Sequence, residues 1–181
     1  MGRSCWFFLF AALAIILLLL VLRTRKDGKI FEEPFNCVPA LQAKDFVLDL
    51  RLCRVLLEDN ADYPWIFLVP RRNGVANLLQ LSIEDRLQLM REMAMAGNVM
   101  RQLFPCDQIN VAMIGNKTPQ LHVHVICRRT TDPAWPDTVW GRKGTPYKGE
   151  EKEKVLKSLA TALLEQSTDP DNRQSPRHDR H

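Results

Sequence analysis

Two histidines, His122 and His124, stand one residue apart in the run Gln120-Leu121-His122-Val123-His124-Val125-Ile126. Polar and apolar residues alternate there at period two, the pattern of a half-buried β-strand. On such a strand Gln120, His122 and His124 share one face, and Leu121, Val123 and Val125 share the other. At about 3.3 Å rise per residue the two histidine Cα atoms lie roughly 6.6 Å apart. The other two of the four histidines, His178 and His181, lie in a polar tail. Just upstream, Gly115-Asn116-Lys117-Thr118-Pro119 is a turn-forming run. It brings backbone N–H groups and an amide side chain to the same end of the strand.

Three chemistries fit the pair. The rings can be half-exposed strand residues with no reaction to perform. They can chelate a metal, since His-x-His on one face presents two ring nitrogens. A structural zinc takes about four ligands and a catalytic one about three. No Asp, Glu, Cys or third His stands nearby on that face, so further ligands would come from distant chain. Third, a neutral imidazole, unperturbed pKa about 6.5, can attack phosphorus at neutral pH and form a labile phosphoramidate. A second histidine can then donate a hydrogen bond to the phosphate as charge develops.

Gln120 to Arg129, QLHVHVICRR, resembles the signature of the histidine triad superfamily, in which three histidines alternate with apolar residues at a strand end. The resemblance extends upstream through Asn110 to Pro119 (NVAMIGNKTP) and downstream through Asp132 to Gly141 (DPAWPDTVWG). Arg54 to Arg71 resembles the family's first hairpin. The match is nearest to a bacterial-type branch carrying QLHxH. The resemblance implies a nucleotide-phosphate hydrolase or nucleotidyl transferase acting at the α-phosphate through a covalent nucleotidyl-histidine. It implies that His122 is the nucleophile and that His124 contacts the phosphate, with Gly115 and Asn116 cradling it and Gln120 counted with them as a substrate- or phosphate-binding residue. Gln120 stands where the family has its first histidine. Its backbone carbonyl can accept from Nδ1–H of His122, while its amide carries no titratable proton. Restoring histidine at this position is expected to be tolerated. Asn116 stands where the family often has a longer glutamine. Asp59 or Asn60 either meets ribose hydroxyls or simply forms a turn. No metal or other cofactor is implied, and a dimer with a shared sheet is. The alternatives are a non-catalytic nucleotide-binding or scaffold protein on the same fold, and a His-ligated metal protein.

The elements that must position these residues read as follows. Phe46 to Leu57 suggests one or two strands, and Glu58 to Asp62 a turn. Trp65-Ile-Phe-Leu-Val69 is too continuously apolar for a solvent-facing strand and should be central. Ser82 reads as a helix N-cap followed by acidic Glu84 and Asp85. Leu87, Met90, Met93 or Ala94, Gly97, Met100 and Phe104 then recur at helical spacing as the expected inward stripe, and Pro105 ends the helix. Ile109 to Ile114 is the next strand and forms a hairpin with the histidine strand. Residues 130–149 form an irregular loop whose Trp135, Trp140 and Tyr147 suggest that it folds onto the domain. Glu150 to Gln166 is a terminal helix with Val155, Leu156, Leu159, Ala160, Leu163 and Leu164 inward. Strands joined by turns, plus two separate helices, argue an α+β domain with an antiparallel sheet.

The 181 residues provide one ordinary domain with extensions. A net charge of +4 does not by itself suggest nucleic acid. Five scattered cysteines, with no C-x-x-C, argue against a disulfide framework or zinc knuckle, and Cys127 is expected to pack in the core. Trp6 to Leu22 is uncharged and proline-free, near the short end of a membrane-spanning helix, and ends in Arg23-Thr24-Arg25-Lys26 rather than a cleavage site. The expectation is an uncleaved single-pass anchor over 1–26, a linker over 27–36, a catalytic domain over 37–166 and a disordered polar tail over 167–181. The larger basic cluster after the apolar run places the domain in the cytoplasm.

Overall fold

Five short strands, three α-helices and one 3-10 turn (Leu78–Gln80) make up the regular structure of residues 34–168, the part of the chain that the structure, a computed structural model, describes. These elements belong to the unit that begins at Phe35. The strands are β1 (Asp45–Asp49), β2 (Cys53–Leu57), β3 (Trp65–Pro70), β4 (Gln108–Ala112) and β5 (Val123–Arg128). They form one sheet in the order β1-β2-β3-β5-β4, with every neighbouring pair antiparallel. The expected α+β class holds. Trp65-Ile-Phe-Leu-Val69 lies in the central strand, as its unbroken apolar run requires.

The period of two divides the sheet. Val55, Leu57, Ile66, Leu68, Val123, Val125 and Cys127 enter one core, which is covered by two long helices. These are α2 (Ile83–Leu103) and α3 (Glu150–Thr168). Helix α2 starts where the Ser82 hydroxyl accepts from the Asp85 N–H, with Glu84 and Asp85 in the first turn complementing the helix dipole. It stops at Phe104, whose backbone is extended because Pro105 follows. The opposite face of the sheet carries Leu56, Phe67 and Val69. A strap with Phe35, Cys37, Val38 and Leu41 covers them, and it includes the short helix α1 (Pro39–Gln42). The loop after β5 covers the rest, with Ala134 and Val139 packed on Tyr63 and Ile126. Leu56, Phe67 and Val69 each contribute about 1.5–3 kcal/mol by their burial.

Three expectations are corrected. The inward stripe of α2 is not the Leu87–Met90 row, since these residues are 56% and 58% exposed. The buried row is Leu89, Glu92, Met95, Ala96, Val99 and Met100. Glu92 hides this stripe in a hydropathy reading. It is buried because its carboxylate accepts from the N–H groups of Leu52 and Cys53 and from the Gln88 amide, capping the β1–β2 turn. Cys127 packs in the core as expected but is also bonded to Cys106. The chain turning at Pro105 brings Cys106 beside β5, where Asp107 N–H donates to Arg128 O. In α3, Leu164 is exposed, and the helix continues through Ser167 and Thr168.

The apolar run Trp6–Leu22 lies outside the described residues, as does the tail after Thr168. Among the described residues no helix is long and apolar enough to cross a membrane.

Candidate functional site

His124 lies on β5 opposite Phe67 of β3 on one side and Ala112 of β4 on the other. His122 precedes the strand. Gln120 is in a bend and residues 121–122 lie outside the sheet, where Leu121 N–H donates to Val75 O, so the strand begins at Val123 rather than Gln120. The expected half-exposed face is in fact closed, with His122 5% and His124 8% exposed. Trp140, from the loop after β5, stands edge-on to His124 at 4.8 Å between ring centroids. Phe67 at 4.9 Å, Trp65 at 5.3 Å and His122 at 4.8 Å complete the box around that ring. Trp140 of the loop and Trp65 and Phe67 of β3 thus enclose His124, and Phe67 also flanks His122.

The ring nitrogens are set by their neighbours. His122 Nδ1 lies 2.6 Å from the backbone oxygen of Gln120. A carbonyl only accepts, so Nδ1 carries the proton and Nε2 keeps its lone pair. For His124 the Trp65 indole N–H donates to Nδ1 at 3.2 Å. His124 Nε2 is buried with no hydrogen-bond partner among the described residues. Burial, then the neighbouring His122 and Lys44, pushes the His124 pKa down to about 4. The ring is therefore neutral across ordinary pH.

Gln120 has two separate jobs. Its backbone oxygen orients His122. Its side chain turns to the strap, where Oε1 accepts from Val38 N–H at 2.9 Å and Nε2 donates to Asn36 O at 3.0 Å. Both amide atoms are thus committed to backbone partners rather than to phosphate. Gly115 and Asn116 lie in the loop between β4 and β5. Together with His122, Met113 and the opposite chain Ala76–Leu79 they line a cavity of about 480 Å³. Asn77 holds that wall in shape through a reciprocal cap with Gln80. His124 lies beside His122 and is not part of the cavity wall.

The ribose candidates resolve toward structure. Asn60 is buried and its Oδ1 accepts from the N–H groups of Asp62 and Tyr63, as a turn residue does. Asp59 accepts from Tyr147 N–H and pairs with Lys152. Arg128, at the end of β5, is 1% exposed. It pairs with Asp132 through two contacts, at 2.6 and 3.0 Å, and donates to Asn110. Among the described residues no group of three or more His, Cys, Asp or Glu is placed to hold a metal ion. Sequence reasoning missed Trp65 and Trp140 as parts of the site. The available signal was that β3 carries a polar N–H on the face that the histidines also occupy.

The family model described as HIT domain matches residues 41–131. The chain is similar to a solved histidine triad protein from Marinobacter aquaeolei, with 37% identity, TM-score 0.70, and 74% of this chain and 98% of that one covered. A histidine triad protein from Bradyrhizobium japonicum matches with 34% identity, TM-score 0.70, and 72% and 99% covered. One from Sinorhizobium meliloti matches with 31% identity, TM-score 0.65, and 72% and 96% covered. No curated protein matches the chain. With the family model over half of the chain, and these relatives aligned over nearly their whole length, the chain belongs to the histidine triad (HIT) family.

Proposed function

We propose that this protein is a nucleotide-conjugate hydrolase or nucleotidyl transferase that works by double displacement at the α-phosphorus. The observation that carries the reading is the His122 ring. Its Nδ1–H is held by Gln120 O at 2.6 Å, which leaves an Nε2 lone pair on a ring that lines a cavity with Gly115 and Asn116. In the first step Nε2 attacks phosphorus and the bond to the leaving group breaks, with its electron pair going to that group. The ring becomes cationic, and the Nδ1–H hydrogen bond to Gln120 O strengthens as it does so. His124 Nε2–H, which lies beside the His122 ring behind the cavity wall and has no partner among the described residues, is the donor proposed for the phosphate oxygens as charge develops. Water then attacks phosphorus, the P–N bond breaks with its pair returning to His122 Nε2, and the proton that the water loses passes to solvent. Intact-mass trapping of a nucleotide adduct across a small conjugate panel tests the proposal. An adduct that maps to His122 supports it. Tight nucleotide binding with no adduct and no turnover supports the non-catalytic alternative instead.

The protein is further proposed to act as a homodimer on a membrane. Strand β4 is a sheet edge with Val111 exposed, as are Met113 and Ile114 just after it, and Ile109 of the strand approaches Gly97 of α2. Beside it α2 exposes Ile83, Leu87 and Met90, the apolar row that the core does not use. An open edge next to an apolar row is what a second copy can cover. Sedimentation of wild type against Met90→Glu tests this, and a wild-type monomer refutes it. The charge flanking Trp6–Leu22 favours a cytoplasmic domain. The Cys106–Cys127 bridge favours an oxidising compartment. Thiol labelling of intact cells, combined with protease protection, decides between them.

A further inference from the structure

We propose that Trp65 is a positioning residue that holds His124 as a neutral Nε2–H donor. We further propose that the site therefore acts on nucleotidyl conjugates whose leaving group departs as a stable anion, phosphoanhydrides rather than phosphoramidates. The inference rests on the nucleophilic reading of His122 and narrows its substrate class.

An indole N–H only donates. The His124 Nδ1 that accepts it, 3.2 Å away, must be the unprotonated nitrogen. The single proton of the neutral ring then sits on Nε2, the buried atom with no partner among the described residues. A second proton would have to enter at Nδ1, facing the indole N–H donor to donor. The charged and titratable groups facing the ring oppose it as well. His122 lies on the same segment. Lys44, ahead of β1, sits 5.6 Å from the Phe67 centroid and is paired with Glu58. Phe67 and Trp140, the other walls, carry no titratable proton. His124 can therefore stabilise phosphate charge but has no acid proton to give away.

The remaining positions do not supply one. His122 attacks through Nε2 and keeps its Nδ1 proton on Gln120 O. The Gln120 amide is committed to Asn36 and Val38. When the leaving atom is a phosphate oxygen, the bond to phosphorus breaks and the electron pair departs on an anion that needs no proton. When the leaving atom is an amine nitrogen, the departing group must gain a proton in the same step. Positioned general acids are worth about 10²–10⁴ in rate. Their absence among the described residues penalises the amine.

Full-length protein with ¹⁵N-labelled histidine, in detergent, tests the first half by long-range ¹H–¹⁵N spectra. Only four histidines need assignment, and His124→Ala identifies the signal. His124 is expected to hold its proton on Nε2 from pH 5 to 8. In Trp65→Phe, which keeps an aromatic wall, the tautomer should mix and protonation should move up toward the ordinary histidine range. A matched nucleoside phosphoanhydride and phosphoramidate test the second half, with the anhydride favoured by about 10² or more and the gap narrower in Trp65→Phe. Wild-type His124 protonated on Nδ1 overturns the role of Trp65, whether or not the variant folds. Equal turnover of the two conjugates overturns the leaving-group rule. If neither is turned over, the leaving-group rule falls together with the enzymatic reading, and the spectra still decide Trp65 alone.

Discussion

Gln120 is the position where sequence and structure assign different work to one residue, and replacing it separates the two. Gln120→Ala removes the bonds to Val38 N–H and Asn36 O, at 2.9 and 3.0 Å, and keeps the backbone oxygen that holds His122. Leaving a buried polar group unsatisfied costs about 1–3 kcal/mol. These partners are only partly buried, so the two losses together come to about 2–4 kcal/mol. For a chain of this size each kcal/mol moves Tm by about 2–4 °C, so melting should fall by roughly 5–15 °C. Proteolysis should also reach the loosened strap around Asn36 earlier than in wild type. The rate of adduct formation, by contrast, should stay within about tenfold of wild type, since the His122 tautomer survives. Gln120→His, expected from the family pattern to be tolerated, should melt near the alanine variant. The two nitrogens of an imidazole point apart and cannot meet the neighbouring N–H and C=O groups that one amide satisfies together. Thermal unfolding by circular dichroism, single-turnover mass spectrometry and timed proteolysis read these effects. A Gln120→Ala protein that melts like wild type while its adduct rate collapses would refute the reasoning and put the side chain on the substrate.

The remaining expectations are more direct. His122→Ala should abolish the adduct and lower turnover by several orders of magnitude, whereas His124→Ala should lose about 10²–10³; an adduct found on His124 would reverse the roles. Folded His124 stays unprotonated down to about pH 4 while the unfolded ring protonates near 6.5, so stability should be full above about 6.5 and fall between 6.5 and 4. That fall is on the order of 3 kcal/mol, and a His124→Ala melting series with the same acid slope would contradict it. Asp132→Ala leaves the Arg128 charge buried and unpaired and should destabilise by about 3–5 kcal/mol, measured by urea unfolding. Full-length protein should sediment with membranes and a deletion of residues 1–26 should not; a soluble, N-terminally trimmed full-length product would favour a cleaved peptide.

Local patterns were legible wherever one residue type carries one meaning. The Ser82 cap, the stop at Pro105, the β4–β5 hairpin and the central place of β3 follow from capping, proline geometry and hydropathy period. Those forces act within a few residues. The helix stripe was misread because Glu92 is buried by two N–H groups some forty residues away, and hydropathy counts a charge as a surface signal. The Cys106–Cys127 bridge was missed for the same kind of reason, since scattered cysteines carry no pairing information until the register brings them together.

For the site, the sequence alone determined which atoms are available: two imidazoles one residue apart, a glycine-amide turn beside them, and a carbonyl two residues before the first ring. It also determined that His122 and His124 stay near each other, because adjacent backbone geometry allows little else. Only the tertiary structure decided what those rings can do. Trp65 lies fifty-nine positions from His124 and donates to it across the sheet. Trp140 arrives from a loop, and Gln120 turns its amide to a strap eighty-two and eighty-four positions away. Protonation state and tautomer depend on which donors, charges and apolar walls surround a ring, and those neighbours are set by packing rather than by spacing along the chain.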